Sequence, residues 1–176
     1  MGYWLLNPLR KFGQNPHEIL APHVREGMTV LEPGPGMGFF TLELARLVGP
    51  SGHVVAVDVQ PRMIGKLSKR LGKTGLRERV DTRVAAAESM GLGDLRGAVD
   101  FVLAFAVVHE FSDSDRFFAE VAAASKPGAS VLLVEPKGHV RVADFDAEIA
   151  AAAKAGLAVV GRPVIRRSLA AVLTKT

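Results

Sequence analysis

From Met28 onward, short runs of β-branched and aliphatic residues alternate with longer stretches in which apolar positions recur every three or four residues. That alternation predicts a mostly parallel sheet covered by helices on both faces. Strands are expected at residues 29–31, 54–58, 80–84, 99–105 and 130–134. The intervening helices carry their own boundary signals. Asn15-Pro16-His17-Glu18 supplies a capping side chain, a proline for the first helical position and an acid three residues after the cap, predicting a short helix to about Val24. The next helix is expected to open at Gly38 and stop at Gly49-Pro50. A third runs over 61–71 and is closed by Gly72. A fourth begins in the capping pattern Ser112-Asp113-Ser114-Asp115 and halts at Lys126-Pro127-Gly128. A last helix spans about 140–155, before Gly156.

Beyond Gly156 the rhythm changes. Residues 157–162 and 169–174 are both strand-like and are separated by too few residues for a parallel crossover, so they should pair as an antiparallel hairpin. With 176 residues and no internal repeat or linker, a single domain over 1–176 is expected, consisting of an arm at 1–26 and a core at 27–176.

Composition narrows the chemistry. The chain is 48% hydrophobic and 23% charged, as globular proteins are, and it contains no cysteine, which removes disulfides, thiolate metal sites and thiol nucleophiles. Its longest apolar run, 101–108, falls far short of the roughly 18 residues a membrane span needs, and 1–13 lacks the basic start of a secretory signal. A cytoplasmic protein without membrane contact is expected. The net charge of +4 is mild for a dedicated nucleic-acid binder.

The most informative segment is Val30-Leu31-Glu32-Pro33-Gly34-Pro35-Gly36-Met37-Gly38, where the first strand hands over to its helix. Gly34 and Gly36 allow a tight turn and close approach of a ligand to the backbone, and Gly38 allows the helix to pack tightly on the strand. Asp58, at the end of the next strand, stands 20 residues beyond Gly38, the separation at which a carboxylate meets ribose hydroxyls. A dinucleotide loop would need glycine where Phe39 stands. Glu32 would repel a pyrophosphate, yet it suits a ligand bearing an ammonium group, and S-adenosylmethionine has an ammonium, a carboxylate and a ribose.

The segment 32–38 resembles the E/D-x-G-x-G-x-G motif of class I S-adenosylmethionine-dependent methyltransferases, and the resemblance covers about residue 27 to the end. Pro61-Arg62-Met63 resembles the start of the helix that follows the ribose-binding acid. Residues 99–110, ending in Val108-His109-Glu110, resemble the fourth motif, whose strand end lines the methyl-transfer pocket. Ser125-Lys126-Pro127-Gly128-Ala129 is similar to the turn before the fifth strand, and the closing hairpin matches the family's antiparallel seventh strand. The resemblance implies a Rossmann-like three-layer α/β fold with a seven-stranded sheet ordered 3-2-1-4-5-7-6. It also implies S-adenosylmethionine as cofactor, S-adenosylhomocysteine as its product, and methyl transfer to a small-molecule acceptor.

The same resemblance implies cofactor contacts from Glu32, Gly34, Pro35, Gly36, Gly38, Asp58, Val59, Met63, Ala87, Glu88 and Phe105. Where the family often has an adenine-binding aspartate, this chain has Ala86, so backbone near Ala87 or the Glu88 side chain is expected to take that role. His109 is the candidate catalytic residue, as a proton acceptor, with a backbone-bonded helix start as its bland alternative. The other histidines, His17, His23, His53 and His139, show no metal-ligand spacing, and no metal is expected.

Basic residues cluster over 62–83. They are read as the solvated face of a helix, with RNA contact as the alternative. Tyr3 and Trp4 head an apolar arm expected to act as a lid, or to pack on the sheet or on a partner of a monomeric or homodimeric protein. Other readings are an RNA or protein methyltransferase, a noncatalytic nucleotide-binding module, and an NAD-dependent oxidoreductase.

Overall fold

The computed structural model describes residues 14–176, so the Tyr3–Trp4 arm lies outside the described residues. The described elements are α1 (Pro16–Leu20), β1 (Thr29–Pro33), α2 (Thr41–Leu47), β2 (His53–Asp58), α3 (Pro61–Thr74), β3 (Val80–Val84), β4 (Val99–Phe105), α4 (Ser114–Ala124), β5 (Ser125–Pro136), α5 (Val142–Lys154), β6 (Leu157–Gly161) and β7 (Ser168–Lys175). The strands form one seven-stranded sheet in the order β3-β2-β1-β4-β5-β7-β6. By compactness the chain divides into two units, one ending at Ala85 and the other beginning at Ala86.

In the first unit β1, β2 and β3 pair in parallel, with Glu32 opposite Ala56 and Pro33 opposite Val57. Val30, Leu31, Val54, Val55 and Ala56 are wholly buried, as continuous apolar strands covered on both faces must be. β3, with the sequence VDTRV, is only partly buried, which suits the edge of the sheet. In the second unit β4 and β5 run parallel, and β7 pairs antiparallel with both β5 and β6. The hairpin expected from the short spacing after Gly156 is therefore present.

Several boundaries differ from the sequence expectation, each for a local reason. α1 stops at Leu20, because Pro22 has no N–H to continue the helical ladder. β1 continues through Glu32 and Pro33, which places the acid inside the sheet and out of the loop. α2 begins at Thr41 and not at Gly38, whose φ of +85° is left-handed. β5 begins at Ser125, directly after α4. Ser125 pairs with Val99, and the register then slips so that Phe101 faces Ser130, with exposed Lys126, Pro127 and Gly128 absorbed as an irregularity.

The clearest correction concerns the end of α3. The helix runs past Gly72 to Thr74, and Gly75 closes it in the left-handed conformation at φ +69°, its N–H donating to Leu71 O. A Cβ at either glycine would meet nothing within 4 Å, so the two differ only in backbone conformation. Gly72→Ala should stabilise the protein by about 0.5–1 kcal/mol, whereas Gly75→Ala should destabilise it by about 1 kcal/mol, as read from denaturant unfolding midpoints.

Candidate functional site

The first unit gathers its polar groups where β1 and β2 end. Glu32 is the fourth residue of β1 and is almost wholly buried. Its Oε2 accepts a hydrogen bond from Thr41 Oγ1 at 2.5 Å, which links the strand to the first residue of α2. Burial pushes the Glu32 carboxyl up to about 7, and the Thr41 hydrogen bond only partly offsets that. The carboxyl is thus poised to gain or lose a proton near neutral pH, and a cation brought beside it would favour the charged form.

The loop after β1 is shaped by left-handed glycines, with φ of +66° at Gly34, +56° at Gly36 and +85° at Gly38. Gly34 N donates to Val57 O at 2.8 Å, and Gly38 N donates to Pro35 O at 2.9 Å. Glycine at 38 is also a packing requirement: a Cβ there would lie 2.6 Å from Leu67 Cδ1 of α3. The loop is further held by Arg70 of α3, whose Nη1 donates to Met37 O at 3.0 Å.

Asp58 closes the loop from the side of β2. Its carboxylate accepts from Gln60 N at 2.8 Å and from the backbone N–H groups of Gly36 and Val59. Partial burial raises its pKa, and these three donors act against that rise. The bond to Gly36 places the two features picked out by their spacing of 20 residues in direct contact. Val59 is exposed and Met63, on the first turn of α3, is buried.

In the second unit Ala87 and Glu88 lie on an exposed turn, bridged from Ala86 to Ser89, where Ser89 N donates to Ala86 O at 3.3 Å. Phe105 ends β4 and is buried. Ala106 then takes φ +53°, an uncommon conformation for alanine, and its N–H donates to Val134 O at 2.7 Å. This turn leads into a short helical turn, Val108–Glu110. His109 Nδ1 lies 2.6 Å from Oε2 of Glu135, which is wholly buried near the end of β5. Glu135 Oε1 accepts from Val108 N at 2.9 Å.

Sequence reasoning missed Thr41, Arg70, Glu135 and Glu148. An acid directly after the apolar run 131–134 was the available signal for Glu135; an acid in an alanine-rich helix was the one for Glu148. Within the basic cluster Arg62, Lys69 and Lys73 are exposed on α3, as a solvated helix face requires, while four arginines also bond within the fold. Besides Arg70, Arg77 donates to Val80 O, Arg79 to Ala45 O, and Arg83 to Asp81.

The chain as a whole is similar to known proteins. A family model described as a methyltransferase domain matches residues 24–163. The ubiquinone/menaquinone biosynthesis C-methyltransferase UbiE of Pasteurella multocida is 31% identical over 137 residues, covering 76% of this chain and 50% of that protein. An arsenite methyltransferase of Halobacterium salinarum is 33% identical over 107 residues, covering 61% of this chain and 27% of that one. The chain thus spans half or less of the length of these two relatives. Among solved structures, a SAM-dependent methyltransferase from Aquifex aeolicus superposes with a TM-score of 0.86 at 25% identity, covering 98% of this chain and 95% of that one. With the family model spanning most of the chain and the strand order and glycine loop as described, the chain belongs to the class I S-adenosylmethionine-dependent methyltransferases.

Proposed function

We propose that this chain transfers the methyl group of S-adenosylmethionine to a small-molecule acceptor. The observation that carries this reading is the coupling of a buried carboxyl, Glu32, to a loop of left-handed glycines that Asp58 holds by hydrogen bonding to Gly36. The donor set fits the cofactor. Glu32, or its hydrogen-bond network through Thr41, would receive the methionine ammonium. Backbone groups of Gly34, Pro35, Gly36 and Gly38 would hold the methionine moiety, and Asp58 would receive the ribose hydroxyls. Val59, Met63, Ala87, Glu88 and Phe105 are assigned to the rest of the ligand.

The cofactor supplies an already reactive sulfonium methyl, so the protein's task is alignment and exclusion of water. A small-molecule acceptor is preferred to RNA because Arg70, Arg77, Arg79 and Arg83 are engaged within the fold. The named activities of the UbiE and arsenite relatives are in keeping with a small acceptor.

Isothermal titration should register S-adenosylmethionine and not NAD, and Asp58→Ala should weaken the binding roughly tenfold or more, the loss of a charged hydrogen-bond partner. Binding of NAD alone would overturn the assignment.

Protonation gives a second check. Glu32 titrates at about 7 without ligand, and an ammonium beside it lowers that value, so binding below pH 7 must expel a proton. Affinity should therefore fall by up to about tenfold per pH unit as pH drops below about 7. Glu32→Gln should bind more weakly at pH 7.5 and lose this acid limb. Calorimetry across pH 5.5–8 would reveal a flat wild-type profile if Glu32 took no part.

A further inference from the structure

The second unit contains a cluster of titratable groups that methyl-donor binding does not use. Glu135 is wholly buried and uses both carboxylate oxygens at one place: Oε2 faces His109 Nδ1 at 2.6 Å, while Oε1 accepts from Val108 N at 2.9 Å and His109 N at 3.4 Å. A carboxylate held by two consecutive backbone N–H groups of the same turn leaves the imidazole it faces little freedom. Nδ1 turns toward a carboxylate with no solvent exposure, while 28% of the His109 side chain remains exposed, and Nε2 is the ring nitrogen left for a ligand. The left-handed turn at Ala106, just after β4, carries the chain into this contact. In open α/β sheets, ligands bind at this carboxyl edge of the strands.

Glu148 of α5 completes the cluster. It is buried, its Oε2 has no hydrogen-bond partner among the described residues, and burial, reinforced by the charge of Glu135, raises its pKa to about 8. Near neutral pH Glu148 therefore carries a proton. The hydrogen bond to Glu135 is the largest influence on His109 and raises its pKa; burial opposes it, the charges of Glu135 and Glu110 add to it, and Glu148 adds only once it ionises. Asp144 is the remaining acid acting on Glu148.

We propose that His109, oriented by Glu135 as its positioning residue, takes the proton from a hydroxyl group of the methyl acceptor, which places the acceptor among hydroxyl-bearing small molecules. The proposal rests on the methyl-transfer reading above and specifies its acceptor. In the step, a lone pair of the hydroxyl oxygen forms the new O–C bond and the S–C electron pair returns to sulfur. The O–H proton passes to Nε2 and later to solvent. A hydroxyl is a poor nucleophile until its proton leaves, so an oriented imidazole contributes about 10²–10⁴-fold there. A metalloid or thioether acceptor has no such proton and would gain nothing from the pair.

The test uses the full chain and two readouts. The first follows the His109 ring nitrogens by NMR against pH, with the signal assigned through His109→Asn. In the wild type the imidazole should carry its neutral-state proton on Nδ1 and titrate above the ordinary histidine value. Glu135→Gln should lower that titration by about one unit or more, and Glu148→Gln should move it less. An unmoved titration in Glu135→Gln, or an equal shift in both variants, would overturn the positioning role.

The second readout measures transfer from methyl-labelled S-adenosylmethionine to catechol, to 4-hydroxybenzoate, and to arsenite with glutathione. Transfer to the phenols is expected, with kcat rising through the His109 titration because only the neutral ring accepts a proton. His109→Ala should lose at least about 100-fold in kcat, and added imidazole should restore part of it. Arsenite-only transfer, no transfer to either phenol, a wild-type rate in His109→Ala, or failure of imidazole to rescue would each overturn the proposal, even if Glu135→Gln does not fold. S-Adenosylmethionine should bind the His109 variants as it binds wild type. Failure of wild type to bind it would instead remove the methyl-transfer reading and leave the NMR result standing.

Discussion

Parallel pairing is the constraint from which the rest follows. A parallel strand must leave the sheet at its carboxyl end and return by a crossover, so each β-to-helix turn opens at the same edge of its unit. In the first unit this puts Glu32, near the end of β1, and Asp58, at the end of β2, beside the turns they control. In the second, Glu135 stands one residue before the end of β5 and meets the chain as it leaves β4. The acids are thus set at places where backbone N–H groups are left without ladder partners. Asp58 accepts from three of them and Glu135 from two.

Such placement has an energetic consequence. A carboxylate in the interior is costly unless paired, and the protein meets that cost in two ways. Asp58 and Glu135 are surrounded by backbone donors. Glu32 and Glu148 have too few, and each is driven to hold its proton into the neutral range, to about 7 and about 8. The free protein is therefore less stable with these groups ionised. Each has a pKa raised on folding, so the stabilisation from its bound proton is present at acid pH and is lost as pH rises toward those values. For Glu32 a cationic ligand reverses that balance, which makes an unfavourable feature of the free fold useful in the bound one.

Much of this arrangement was legible in the chain. The apolar runs marked the strands because strands covered on both faces need no polar alternation. The glycine positions marked the loop because only glycine adopts three left-handed conformations in five residues without strain. Asp58 falls at the end of β2, as its spacing from the glycine loop predicted, because that spacing counts one helix and one strand. What escaped were boundaries and partners. Gly72 looked like a helix terminus, but termination depends on which glycine adopts the left-handed conformation, and that was Gly75. The basic residues over 62–83 looked solvated, and Arg62, Lys69 and Lys73 are, but Arg70 and Arg79 reach carbonyls more than thirty residues away in sequence.

The sequence by itself determined the order of elements, the class of the sheet, the closing hairpin and the glycine loop after β1, because each depends on periodicity or on residue types close together in the chain. Only the tertiary structure decided that Glu32 lies within the sheet bonded to Thr41, and that Glu135, 26 residues beyond His109, meets its ring with Glu148 acting on the same pair. These contacts join residues whose separation carries no period. Their charge states follow from burial and from the direction of a few hydrogen bonds, quantities that exist only once the strands have been brought side by side.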